Sequence, residues 1–201
     1  MSAAVDLADR EGLGALTMRR LGAELGVEAM SLYKHVRNKD SILDGIVELV
    51  IAEIDIPSER TDWKEAMRRR AISARRVLCQ HSWAIGLLEA RGSRGPAVRR
   101  YLDAILGNLR SAGFSTENAA HAFWLLDCYV YGHVIQETSL RSSTAEETTE
   151  SAASVAEQVS TNQYRHLVEM EERARQSEYS IDREFEFGLE LILDALDATA
   201  R

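Results

Sequence analysis

Apolar residues recur at steps of three and four along nearly the whole chain, and nowhere does apolar–polar alternation last long enough to make a strand. Only Pro57 and Pro96 are available to break helices, so the pattern predicts an all-α fold. A first helix is expected over Ser2–Glu11, with Ala4, Val5, Leu7 and Ala8 inward and Gly12 as its stop. Short helices follow over residues 17–25 and 28–36. A longer one opens on Asn38 as N-cap, with Asp40 in its first turn, and runs through Leu43, Ile46, Val47, Val50 and Ile54. Residues 56–62, with Pro57 and Ser58, read as a linker that divides the chain into units 1–55 and 56–201.

Past the linker, Trp63–Gln80 forms a basic amphipathic helix with Ala66, Met67, Ala71, Ile72, Ala74 and Leu78 inward. A short helix spans 82–90. Gly92, Gly95 and Pro96 break the pattern, and Pro96–Ser111 then turns Val98, Leu102, Ile105, Leu106 and Leu109 inward before Gly113. Thr116 is the expected N-cap of a helix over 117–139 that is apolar on nearly every side, as a helix shared between a core and a second subunit would be. Residues 141–152 are polar and read as a mobile connection. A charged helix is expected over 153–176 and a striped one over 181–198, with Phe185, Leu189, Ile192, Leu193 and Leu196 in register.

No apolar run approaches the roughly 20 residues a membrane span needs, and the N-terminus carries no secretion signal, so a cytoplasmic protein with no membrane partner is expected. Cys79 and Cys128 match no metal or redox spacing and read as buried, reduced thiols. His121 and His133, twelve residues apart, are too distant to share a metal, and each reads as a satisfied core or interface histidine. Neither a nucleophile elbow nor a phosphate-cradling loop, metal triad or carboxylate pair is present, so no catalytic residue, metal or cofactor is assigned. Cys128 near His133 or Glu137 is the best enzymatic constellation available.

The net charge of −8 argues against a nucleic-acid partner until it is divided. Residues 17–39 hold five cations, Arg19, Arg20, Lys34, Arg37 and Lys39, against Glu24 and Glu28, while the acidity sits in 40–55 and beyond Glu146. That stretch has the makings of a helix-turn-helix: Ala23 as the small residue where two helices approach, Gly26 at the turn, and Leu21, Leu25, Val27, Leu32 and Val36 to lock their angle. The second helix then offers Ala29, Met30, Ser31, Tyr33, Lys34 and His35 to a major groove of double-stranded DNA.

The segments T-M-R-R-L, L-G-V-E, S-L-Y-K-H-V and N-K-D-S-I-L, preceded by A-A-V-D-L-A-D-R-E-G, resemble the DNA-binding domain of the TetR family of regulators. Downstream, G-F-S-T-E-N-A, Y-V-Y-G-H-V-I-Q-E and F-E-F-G-L-E-L-I-L-D-A-L are similar to the branch with a tetracycline-repressor-like ligand domain. The resemblance implies an N-terminal three-helix reading domain ahead of a larger helical domain for ligand binding and dimerisation. It also implies that Thr17 and Arg19 grip DNA, that Met30 and Ser31 face bases, that Tyr33 and His35 reach phosphates, that Lys34 does either, and that Lys39 holds a phosphate at a helix N-terminus. Glu28 is either a base contact or a first-turn acid. The family's basic arm ahead of the first helix has no counterpart here, which implies a truncated start or a looser hold on DNA.

The same resemblance implies a homodimer through the helices at 117–139 and 181–198, a palindromic operator, and repression relieved by a small-molecule effector. The effector site is expected around His81, Trp83, Leu87 and Leu88 with Trp124, Cys128, Tyr131 and Glu137. Leu88 falls where tetracycline repressors place a histidine for the drug's magnesium, so a magnesium–tetracycline inducer is not implied. The rival readings are a helical small-molecule carrier, or an enzyme, with a vestigial DNA-reading motif.

Overall fold

The computed structural model describes residues 1–91, 95–142, 164–176 and 180–198, and its regular elements there are helices throughout. The N-terminal head is α1 (Ser2–Glu11), a 3-10 turn (Leu13–Ala15), α2 (Met18–Glu24) and α3 (Ala29–Leu32). Its core gathers Leu7 of α1, Leu16, Leu21 of α2 and Leu32 of α3 with Ile42 and Ile46 of the following helix. The Thr17 side chain starts α2 by accepting from the Arg20 N–H at 3.1 Å. At its far end the N–H groups of Gly26 and Val27 return to the carbonyls of Ala23 and Gly22, at 3.2 and 2.9 Å, and Gly26 takes φ 66°, as this double-bonded helix stop requires.

The body holds α5 (Trp63–Gln80), α6 (Trp83–Arg91), α7 (Pro96–Ser111), α8 (Thr116–Ser142), α9 (Arg165–Gln176) and α10 (Ile181–Asp197). Asp62 caps α5 with bonds from the Lys64 and Glu65 N–H groups, and Met67, Ala71, Ala74 and Leu78 bury one side of that helix against α8 and α10. Ile72 and Leu106, both expected inward, are exposed at the margins of their helices' apolar stripes. Ser115, not Thr116, caps α8 by accepting from the Asn118 N–H, and Thr116 is the first helical residue. The helix also runs past residue 139, through Ser142. Gly92, the connection expected beyond residue 142 and the first part of the charged helix, to residue 163, lie outside the described residues.

Helix α4 (Lys39–Ala52) belongs to both parts. Asn38 caps it by accepting from the Ser41 N–H at 2.9 Å. Ile42 and Ile46 then enter the head core, and one turn later Val47, Val50 and Ile51 enter the body core. Two polar links reinforce that bridge. Glu48 accepts from the Ala97 N–H at 2.6 Å and the Val98 N–H at 3.3 Å, capping α7 from another helix. Asp9 of α1 accepts from the Trp83 indole at 2.7 Å and lies 2.8 Å from His81 Nδ1.

Candidate DNA-reading surface and effector cavity

The small residue where α2 meets the turn is Gly22, not Ala23. A Cβ on Gly22 would lie 2.8 Å from the Val27 carbonyl oxygen and 3.2 Å from the Ala29 nitrogen, whereas Ala23 is exposed. Leu21 and Leu32 lock the helix pair and Val36 is half-buried, but Leu25 and Val27 are exposed, because the tight stop at Gly26 turns them outward. The reading helix is also shorter than the span 28–36. Regular α structure covers Ala29–Leu32, and the chain continues to His35 in tighter turns in which the Lys34 and His35 N–H groups reach back three residues.

With Leu32 directed inward, its neighbours face water: Met30 is 74% exposed, Tyr33, Lys34 and His35 are exposed, and Ala29 and Ser31 are half-buried. Thr17, Arg19, Glu28 and Lys39 are exposed beside them. Glu28 is the N-cap residue of α3, but its carboxylate makes no capping bond. Arg20 is diverted from this surface. Glu11 binds it at 2.5 Å and Glu24 lies 3.8 Å away. The arrangement offers an apolar methionine, a phenol and the basic side chains of Lys34, His35 and Lys39 on one short exposed segment, which suits base edges flanked by phosphates.

The body contains a cavity of about 530 Å³, walled by Ile51 of α4, Ile85, Leu88 and Glu89 of α6, Val98, Tyr101 and Leu102 of α7, and Phe123, Trp124, Asp127, Cys128, Tyr131 and Ile135 of α8. Of the eight residues expected at an effector site, it brings together Leu88, Trp124, Cys128 and Tyr131. His81 and Trp83 are spent on Asp9, and Leu87 packs between the two cores. Glu137 borders a different cleft, where Arg75 and Arg141 donate to it at 2.8 and 2.6 Å.

Cys128 is exposed and Cys79 half-buried, so neither is the deeply buried thiol expected. Burial pushes the Cys79 thiol up to about 11. Cys128 and Glu137, one of the two pairings expected for an enzymatic site, line separate spaces. His133 packs edge-on to Phe185 at 4.9 Å, while His121 is exposed rather than a core residue. Among the described residues no cluster of three or more His, Cys, Asp or Glu side chains could hold a metal, and no helix is long and apolar enough to cross a membrane.

Sequence reasoning missed the polar cluster in and behind the cavity wall. Arg70, 2% exposed, donates through Nε to the Tyr101 hydroxyl at 2.8 Å and through Nη2 to Asp127. Burial opposes the Arg70 charge, but Tyr101 and Asp127 outweigh it and raise its pKa. The Tyr131 hydroxyl donates to Asp127 Oδ2 at 3.3 Å. Both tyrosines are pushed up, chiefly by burial, and stay protonated. An arginine on the buried stripe of α5 was the available signal, since such a charge requires partners.

Residues 1–46 match the family described as bacterial regulatory proteins, tetR family, and residues 56–200 match the tetracyclin repressor-like C-terminal domain. The chain is 35% identical over 142 residues to an HTH-type transcriptional regulator of Saccharopolyspora erythraea, covering 70% of this chain and 60% of that one. It is 34% identical over 139 residues to the class A tetracycline repressor of transposon 1721 in Escherichia coli, covering 67% and 63%. The matches thus span less than two thirds of those relatives' lengths. Among solved structures, apo ActR of Streptomyces coelicolor superposes with a TM-score of 0.80 at 30% identity, over 99% of this chain and 93% of that one. ActR in complex with actinorhodin superposes equally well, with a TM-score of 0.80 at 30% identity, over 99% and 95%.

Proposed function

The chain belongs to the TetR family of bacterial regulatory proteins, and on that premise we propose that it is a dimeric transcriptional repressor that leaves a palindromic operator when a small molecule fills its cavity. Residues 1–55 read DNA and residues 56–201 sense and pair. The observation that carries this reading is the exposed set Met30, Tyr33, Lys34 and His35, presented beyond a helix stop locked by Gly22 and Gly26. Met30 packs on a thymine methyl, Lys34 addresses guanine acceptors or phosphate, Tyr33 and His35 bind phosphates, and Lys39 holds another at the N-terminus of α4. Thr17 and Arg19 anchor the first helix of the pair.

Pairing is supported by apolar side chains left in water on two body helices: Leu125, Ile135 and Leu140 of α8, and Phe187 and Leu191 of α10. An organic effector is supported by the aromatic wall of the cavity and by ActR, solved with actinorhodin. Leu88 on that wall supplies no metal ligand, which argues against a magnesium-bearing inducer. Transmission runs through α4. Ile51 touches the cavity, Glu48 holds α7, and the other end of the helix carries the reading head, so a shift of α4 alters the spacing of the two heads.

The test is to mix the protein with fragments of its own genome and sequence the DNA it retains. The proposal predicts one palindromic motif with half-sites one or more helical turns apart. Retention of fragments with no shared motif would contradict it.

A further inference from the structure

Among the described residues Asp127 is the only carboxylate buried in the cavity wall, and it is not saturated. A carboxylate offers about four acceptor positions. Oδ1 takes one bond from Arg70, and Oδ2 takes a long one, 3.3 Å, from the Tyr131 hydroxyl. Tyr101 lies beside it, its oxygen accepting from Arg70 at 2.8 Å and its hydroxyl hydrogen still available. The wall therefore presents an acceptor at Asp127 and a donor at Tyr101.

Charge restricts the occupant further. Arg70 neutralises Asp127 from behind the wall and is not itself part of the lining; Glu89, the other ionisable carboxylate of the lining, is exposed. An anion inside would find no cation among the described lining residues and would meet the oxygens of Asp127. A cation would find Asp127 already paired. Phe123, Trp124, Tyr101 and Tyr131 supply aromatic faces, and 530 Å³ holds a molecule of several fused rings.

We propose that the effector is a neutral, flat, multi-ring molecule that carries a hydroxyl, and that Asp127 selects it by accepting that hydroxyl's proton in a hydrogen bond while Tyr101 donates to the same oxygen. This inference rests on the reading of the cavity as the effector site. Asp127 is the specificity-determining residue, and Arg70 positions it. Leaving the hydroxyl out strands a buried acceptor, and replacing it by a carboxylate adds repulsion.

The test uses four probes with one three-ring body: 9-anthracenemethanol, 9-methylanthracene, 9-anthracenecarboxylate and 9-anthracenemethylammonium. Their binding to the full-length protein is read from anthracene fluorescence anisotropy, without DNA, so the result stands apart from any failure of operator binding. The alcohol should bind about tenfold more tightly than the methyl compound and more tightly still than either ion. In Asp127→Asn the alcohol's advantage should shrink, and the carboxylate should gain about tenfold, because Arg70 is then uncompensated. A melting curve establishes that the variant is folded. Should Asp127→Asn not fold, the wild-type series still decides. Best binding by either ion in the wild type, equal binding of the alcohol and the methyl compound, binding of none of the four, or an unchanged order in folded Asp127→Asn would overturn the proposal.

Discussion

Gly22 and Ala23 stand side by side in α2, yet only Gly22 is forced to be small. Its missing side chain admits the backbone of residues 27–29, and a methyl group there would press on a carbonyl oxygen and a peptide nitrogen that cannot swing away. Gly22→Ala should therefore destabilise the protein by about 1–3 kcal/mol, although alanine is the better helix former by roughly 1 kcal/mol. Ala23→Ser, at an exposed site, should stay within about 0.5 kcal/mol. Urea unfolding of both variants checks the pair, and equal costs would mean that the close approach has been misassigned. The sequence reading takes Ala23 for the small residue of this turn, one position off, because neighbouring helix positions face directions about 100° apart and only the turn's path selects between them.

The same limit governs the cavity. Leu88, Trp124, Cys128 and Tyr131 are legible as apolar bulk with polar tips, but the walls come from four helices and no single stripe encodes their meeting. His81, Trp83 and Glu137 have the right chemistry and are engaged elsewhere, by Asp9 and by Arg75 with Arg141. Cys128 surfaces because α8 is apolar all round, so its composition does not reveal which side is buried.

At the scale of elements, the α4–α7 contact is a borrowed cap. Gly95 makes room for it, since a Cβ there would sit 2.2 Å from the Glu48 carboxyl group. Glu48→Ala should cost about 0.5–2 kcal/mol through the lost bonds to the α7 N-terminus. Gly95→Ala should cost a similar amount by displacing the same carboxylate. Since both remove one interaction, the double variant should be little worse than either single one. Strict additivity in a denaturation cycle would contradict the shared cause.

The packing of α8 on α10 carries a pH signature. Burial and the nearby Arg75 charge lower the His133 pKa from 6.5 and outweigh the opposing pull of Glu137 and Asp182. A depressed folded-state pKa means that the unfolded chain takes up the proton first, so this contribution is complete above pH 6.5 and fades as pH falls below it. The Glu137 carboxyl group also titrates below its ordinary range: burial would raise it, but the bonds from Arg75 and Cys79 and the charges of Arg75 and Arg141 prevail, so its contribution is lost at more acid pH, below 4.5. His133→Gln should flatten the stability profile as pH falls below 6.5 without altering the acid limb. A midpoint-versus-pH series that superposes on the wild type in that window would refute the assignment.

For the whole molecule, the helical architecture and the order of its elements followed from apolar periodicity, because a chain with two prolines and little alternation has few alternatives. The proposed pairing is less direct. It rests on apolar excess in α8 and α10, and the exposed Leu140, Phe187 and Leu191 are the residues that excess leaves uncovered. Sedimentation equilibrium at micromolar concentration should give about twice 22.5 kDa, and Leu191→Glu should shift the population toward single chains. A single species of 22.5 kDa would remove the dimer from the account. The net charge of −8 stops misleading once it is divided, since residues 17–39 hold five cations against two acids, a distribution suited to holding DNA at one end. The central claim is that this end enters a groove. It is tested most directly by titrating an operator duplex, recovered from the genomic selection, with the wild type and Tyr33→Ala at one salt concentration. The account predicts a loss of about 1–3 kcal/mol in binding with an unchanged melting temperature. Equal affinity of the two proteins for that duplex would contradict it.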